Sequence, residues 1–345
     1  MKQQALGFRI IHQFPDPADE GAWRNLLSQS DWPSHYTSPE FFSDPFWAGK
    51  RPFAVLAHEG SRVIGVLTGL HEPGGVVSGN PWRPQISFDR AVCQSRTAEQ
   101  LARGLLAEAR SAGLASIFAW TSLESLQRMG FRTTTTLEGS VILDLSRGSE
   151  FLFGKLHPNR RRNVRYAMKH GVEIVQATTQ ADFHSYYEVY QSWRRTSRKV
   201  IVGELVPFSI LERALSLKGN RILLLARYQG RIIAGDILRF YPGGVVEASA
   251  NSSDDEFLHL KPNDLLVWSA VEWACRTGFT RMSLGGAHHF LREFGGVVVP
   301  IYRYRRDATW LRRHDLLDDM TDAGRRFLLR RPVLDRAVRR LLRKT

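Results

Sequence analysis

ILLLARYQGRIIAGDILRFY, residues 222–241, reads as strand, turn, strand. Two apolar runs flank Gln229-Gly230, and a glycine-bearing turn between such runs is a hairpin signal. The first half holds a counterpart, FAVLAHEGSRVIGVLTGL at 53–70, with its turn at Glu59-Gly60. Working outward, the flanks repeat too. Gly60 and Gly230 are 170 residues apart, Gly74 and Gly243 169, Gly113 and Gly278 165, and Ala18-Asp19 and Ala181-Asp182 163. A period this long means a duplicated domain rather than a solenoid. Each copy runs helix, hairpin, strand, helix, strand. That order predicts an α/β (α+β) fold of two tandem domains, each a mixed, mostly antiparallel sheet flanked by helices. The expected divisions are 1–150, 151–306 and a basic amphipathic helical tail over 307–345.

Within the first copy, FRIIHQF (8–14) reads as a strand and Asp16 to Ser28 as a helix. Trp32 to Trp47 is aromatic and proline-punctuated, a loop with one helical turn. Thr97 to Ala112 is an amphipathic helix, LASIFAW (114–120) a strand, and paired strands end at VILDL (141–145). In the second copy helices are expected over Ala181–Trp193, Phe208–Leu217 and Pro262–Arg276, and a closing strand near Tyr302 and Tyr304. Trp193, Trp268 and Trp273 read as core residues. Cys93 and Cys275 read as buried thiols of a reducing compartment, and no metal site is expected.

Between the copies lies KLHPNRRRNVRYAMKHG (155–171), with Arg160, Arg161, Arg162, Arg165 and Lys169 on about three helical turns. Val164, Ala167 and Met168 can bury one stripe. Pro158 suits the first turn and Gly171 the end. The bland reading is a solvated basic face. The 345 residues carry 48 Lys and Arg against 34 Asp and Glu, a net charge of +14, which predicts an anionic partner. From Arg303 to Thr345 there are 14 Lys/Arg and 6 Asp/Glu, so +8 of that charge lies in the tail. Leu328, Leu329, Val333, Leu334, Val338, Leu341 and Leu342 can form an apolar face there. That pattern suits peripheral contact with an anionic membrane through 322–345, or equally a helix packed on the domain. With no secretory signal and no apolar run of 18 residues, the expected location is cytoplasmic, with peripheral contact at the inner membrane face.

Glu247, Ser249 and Asn251 alternate on one strand, so period 2 puts them on a single face. Three polar groups on a dry face would be costly, so the face lines a cleft, or lies at a solvated sheet edge. Glu247 is the expected base. His288 and His289 follow a Gly-Gly turn and can serve as base or carbonyl-orienting group at neutral pH, unless they are a surface pair. Arg161, Arg162 and Arg165 are the phosphate candidates, since guanidinium forks bind phosphate bidentately. Tyr190 and Arg292 complete the substrate-binding set.

The sequence resembles the FemAB-like branch of the GNAT acyltransferase superfamily. The likeness rests on RRRNVRYAMKHGVEI (160–174), YQSWRRT (190–196), AGDILRFYPGGVVEASANS (234–252), LKPNDLLVWSAVEWACRTGFTRMSLGG (260–286) and FLREFG (290–295). Leu291 stands where that family's aminoacyl-tRNA users have lysine, and Ser283 where they have aspartate. The junction FLHLKPNDLL (257–266) has none of the glycines with which acetyl-CoA users cradle a diphosphate. The resemblance implies two tandem GNAT-like domains and a bacterial acyltransferase of the cell envelope. It implies transfer of an acyl or aminoacyl group, from acyl-CoA or aminoacyl-tRNA, to an amine on a phosphorylated sugar or lipid-linked precursor, with tRNA a candidate partner. The rival expectation is a non-catalytic protein of the same fold that binds nucleic acid or an anionic membrane surface.

Overall fold

The computed structural model describes residues 5–109, 113–135, 139–196, 205–317 and 319–320. The chain begins with β1 (Leu6–Ile11) and α1 (Pro17–Ser28), and continues through β2 (Pro52–Glu59), β3 (Arg62–Glu72), β4 (Gly75–Ser78) and β5 (Ile86–Phe88). Then come α2 (Gln94–Glu108), β6 (Leu114–Ala119), α3 (Glu124–Arg128), β7 (Arg132–Thr135) and β8 (Ser140–Asp144). Helices α4 (Gly148–Lys155) and α5 (Pro158–Lys169) link the halves. The second half holds β9 (Glu173–Gln176), α6 (Gln180–Thr196), α7 (Phe208–Ser216), β10 (Arg221–Tyr228), β11 (Arg231–Phe240) and β12 (Val245–Ser253). It closes with α8 (Pro262–Arg276), β13 (Arg281–Ser283), α9 (His289–Arg292), β14 (Val297–Val299) and β15 (Tyr302–Asp307).

Two sheets result. One runs β1-β2-β3-β4-β6-β15-β7, with β5 also on β3, and the other runs β14-β8-β13-β12-β11-β10-β9. Each is antiparallel except for one parallel pair, β4 with β6 and β12 with β13. The hairpins correspond in detail. β2–β3 slips register between Ala57 and His58, and β10–β11 between Ala226 and Arg227, each just before its turn. Gln229 and Gly230 both have positive φ, 49° and 80°, which the tight second turn requires. The two-copy α/β reading therefore holds.

The sheets do not divide where the sequence divides. β8 lies between β13 and β14 in the second sheet, and β15 lies between β6 and β7 in the first. Pairing in space is blind to position along the chain, so neither strand betrays its partner locally. Trp32–Trp47 contains three short 3-10 turns rather than one helical turn. It packs across the two halves, with Val245 N–H donating to Pro33 O at 2.9 Å. Cys93 is exposed and Cys275 only partly buried, against the expectation of two buried thiols.

The second core shows how the site is held. One face of its sheet packs on α8, whose Leu265, Leu266, Val267, Trp268, Ala270, Val271 and Ala274 are all buried. That helix is apolar nearly all round because α4 and α5 cover its outer side. The other face packs on α6 and α7 through Phe183, Tyr186 and Leu211. Between the halves Asp44 accepts from His35 at 2.8 Å, with Arg221 at 3.3 Å and Arg239 at 3.6 Å, all essentially buried. Burial alone would raise the Asp44 carboxyl. The His35 hydrogen bond and the two guanidiniums overcome it and hold the group well below the usual carboxylate range.

Candidate active site

β12 and β13 run parallel only over Val245–Glu247 and Arg281–Ser283. Beyond that they separate. β13 ends in a turn at Gly285, whose φ is 72°, while Leu284 N–H goes to Val141 O on β8 at 2.9 Å. β12 instead bulges at Ser249, where Ala248 pairs with Leu238 but Ala250 pairs with Ile237. A bulge bends its strand and sharpens the local twist. The opening is a cleft of about 740 Å3, walled by Ala248, Ser249 and Asn251 on one side and Met282, Leu284, Gly285 and His288 on the other. Asn263 and Val267 of α8, Asp236 of β11, Trp193 of α6 and Arg83 of the first half also line it.

The bulge also corrects the expectation of one polar face. Glu247 pairs with Arg239 and Asn251 with Asp236. Arg239 and Asp236 are three apart on a regular strand, so they point to opposite faces. The extra residue at Ser249 shifts the alternation, and Glu247 and Asn251 end on opposite sides of the sheet. Glu247 is fully buried beside the interdomain cluster, close to the Ser34 hydroxyl, and does not line the cleft. Burial pushes its carboxyl up to about 7, despite Arg83 and Arg239 nearby.

Asp236, rather than Glu247, is the buried carboxyl of the sheet that reaches the cleft. It is 2 % exposed, and its Oδ1 has no hydrogen-bond partner. Burial pushes it up to about 8, against the opposing charge of Arg83. Arg83 leaves the first half on the loop between β4 and β5, lies 5.7 Å from the Tyr36 ring, and donates to Ala248 O at 3.2 Å and Ser249 O at 2.6 Å. It pins the bulge from the other domain. Ser249 Oγ donates to Ile237 O at 2.8 Å, and Asn263 Nδ2 to Ser253 Oγ at 3.1 Å.

The other expected site residues lie elsewhere. Arg161 donates to Gly154 O at 2.6 Å and Leu156 O at 2.8 Å, Arg165 stacks on Phe153 at 5.3 Å, and Arg162 is exposed. None lines the cleft, because α5 packs on the outer side of α8. Arg160 is tied to Asp264 at 2.7 Å and Glu293 at 2.9 Å. Tyr190 accepts from Val206 N–H at 3.3 Å. Arg292 braces the turn at Ala287 O. His289 points to solvent, 3.8 Å from Glu293. Of the ten, Ser249, Asn251 and His288 meet at the cleft. Asp236, Arg83 and Trp193 were not expected there. The lone aspartate in the apolar run IIAGDIL was the available signal for Asp236; the sequence around Arg83 carries none.

A carrier's diphosphate would sit at the N-terminus of α8. Lys261 caps that helix, but Asp255 lines the cleft just before it and Asp264 occupies its first turn. Carboxylates and the absent glycines do not fit a diphosphate cradled by backbone N–H groups. Among the described residues no group of three His, Cys, Asp or Glu could hold a metal ion, and no helix is long and apolar enough to cross a membrane.

Residues 158–294 match the family model of the acetyltransferase (GNAT) domain. No curated protein sequence matches the chain. Among solved structures it is similar to FemX, with 13% identity over 87% of this chain and 97% of that one at a TM-score of 0.64. It is similar to the C-terminal domain of a putative lysylphosphatidylglycerol synthetase from Agrobacterium fabrum, with 14% identity over 88% and 96% at 0.61. A tandem GNAT protein from the clavulanic acid biosynthesis pathway gives 13% identity over 89% and 99% at 0.58. The chain thus has the tandem GNAT-type fold, with an acetyltransferase (GNAT) domain match at residues 158–294, as the FemAB-like resemblance implies.

Proposed function

We propose that the chain is an N-acyltransferase working in the cleft between β12 and β13. The single observation behind this is Asp236, a buried carboxyl lining that cleft and raised to about 8. Acyl transfer to an amine is best served by a proton acceptor whose pKa lies near the working pH, and a carboxyl in this range acts as that base in its ionised fraction, which grows as pH rises to about 8. The amine nitrogen attacks the acyl carbonyl, a C–N bond forms, and the bond to the carrier breaks. Asp236 takes the proton the nitrogen loses. Backbone groups of β12 beyond Glu247, which β13 no longer pairs, are the candidates to face the developing oxyanion. His288 at the rim orients the incoming group.

The donor is an activated acyl carrier, and the lack of a diphosphate cradle at the start of α8 favours aminoacyl-tRNA over acyl-CoA. The acceptor is an amine on a phosphorylated or lipid-linked envelope precursor. The name of one similar structure, a putative lysylphosphatidylglycerol synthetase, supports an aminoacyl group on a lipid-linked acceptor.

The test is a mass-spectrometric transfer assay with panels of acyl-CoA and aminoacyl-tRNA donors and amine acceptors. For the productive pair, kcat/KM should rise with pH to a plateau above about 8, since the base must be ionised. Asp236→Asn should lower kcat by about 100-fold or more. Wild-type turnover by that variant, with an unchanged pH profile, would remove Asp236 from the mechanism.

A further inference from the structure

Residues 310–320 follow β15 and present Trp310, Leu311, Leu316, Leu317 and Met320 at 83, 70, 57, 59 and 63 % exposure. Five large apolar side chains in eleven residues make a patch, where single exposed ones would need no explanation. The patch is held in place rather than loose. The Asp307 carboxylate accepts from Thr309 N–H at 2.9 Å, His314 N–H at 2.9 Å and Asp315 N–H at 3.0 Å. Arg132 grips Asp319 with two bonds of 2.8 Å, and Arg305 lies 3.1 Å from Asp315. Those pairings offset the charges of Asp315 and Asp319, while Arg312 and Arg313 remain exposed beside the patch.

The sequence that continues from it, 321–345, on which the expected amphipathic tail helix and membrane contact fall, lies outside the described residues; it holds eight Arg and one Lys against two Asp, a net +7. An anionic surface is the complement of that charge. Nucleic acid would also complement it, but of the five apolar side chains Trp310 alone could stack on a base, whereas all five insert readily among acyl chains. Stable attachment to a bilayer takes two signals, and here apolar side chains stand beside a polybasic segment.

We propose that residues 310–320, with the basic segment after them, dock this protein on a bilayer bearing anionic phospholipid. The inference goes beyond the acyl-transfer reading and stands or falls without it, because binding is measured without turnover.

The experiment is co-sedimentation of the full chain with vesicles of phosphatidylcholine alone and of phosphatidylcholine with about a third phosphatidylglycerol. Wild-type protein should pellet with the second and stay in solution with the first. Raising salt should release it. The triple variant Trp310→Ser, Leu316→Ser, Leu317→Ser should bind about tenfold more weakly, with an unchanged melting curve and unchanged transfer to a soluble acceptor. Full binding by the triple variant would overturn the role of the patch. Equal binding to both vesicles would overturn the charge argument. No vesicle binding, with the triple variant turning a dimer into a monomer, would assign the patch to a second copy. Release from vesicles by tRNA at equal charge, with no loss in the triple variant, would assign the basic segment to nucleic acid.

Discussion

Asp236 is a buried cleft carboxyl with a raised pKa, and the consequence for stability has a definite sign. Burial raises its pKa to about 8 in the folded chain, above the ordinary value of 3.8. Between those values the native state holds a proton that the unfolded state has lost. Stability therefore falls as pH rises through that window, and levels off above about 8. Asp236→Asn removes the titration and keeps the shape. The variant should match wild type near pH 4, and its melting temperature should pull ahead as pH climbs to 8. A gap that does not grow would mean the carboxyl is solvated in solution. This residue was only half legible in the sequence. Its apolar surroundings were visible, but a cleft opening on one side of β11 was not. Arg83 was not legible at all, because its partners are backbone carbonyls 165 and 166 residues away.

Among the elements, α5 and β12 show opposite failures of local reading. The boundaries of α5 were plain, with Pro158 at its first turn and Gly171 at φ 80° just past its end. Its outward charges were also plain, but their use was not. Arg161 serves the end of α4, satisfying carbonyls that a helix leaves unpaired. Arg161→Ala should cost about 1–2 kcal/mol, a charged hydrogen bond's worth. Arg162→Ala, at an exposed position, should stay within about 0.5 kcal/mol. Urea denaturation of the two variants checks the contrast, and equal losses would deny Arg161 its capping role. On β12 the polar alternation was real, yet a single inserted residue at Ser249 reversed it. Period 2 reads a strand correctly only while its ladder is unbroken. No residue type marks this bulge, since Ala248, Ser249 and Ala250 suit a regular strand as well.

For the whole molecule, the duplicated hairpins and the α/β order were legible because they repeat in sequence. The exchange of β8 and β15 was not, because it is written only in long-range pairing. It makes the halves interdependent. Without β15, β6 and β7 lose the strand between them, and Leu123 N–H loses the hydroxyl of Tyr304, a fully buried side chain. Without β8, β13 and β14 have nothing to join them. The buried cluster of Asp44, His35, Arg221 and Arg239 adds a second tie, and removing one partner of such a cluster leaves an uncompensated buried charge. Residues 1–150 expressed alone should therefore lack a cooperative thermal transition by circular dichroism, although they contain most of one sheet. The full chain should melt in one step. Asp44→Ala, at a cost of about 3–5 kcal/mol, should lower hydrogen-exchange protection in β2–β3 and β10–β11 together. Loss confined to one hairpin would show that the halves unfold independently, and that the exchanged strands bind two domains without coupling them.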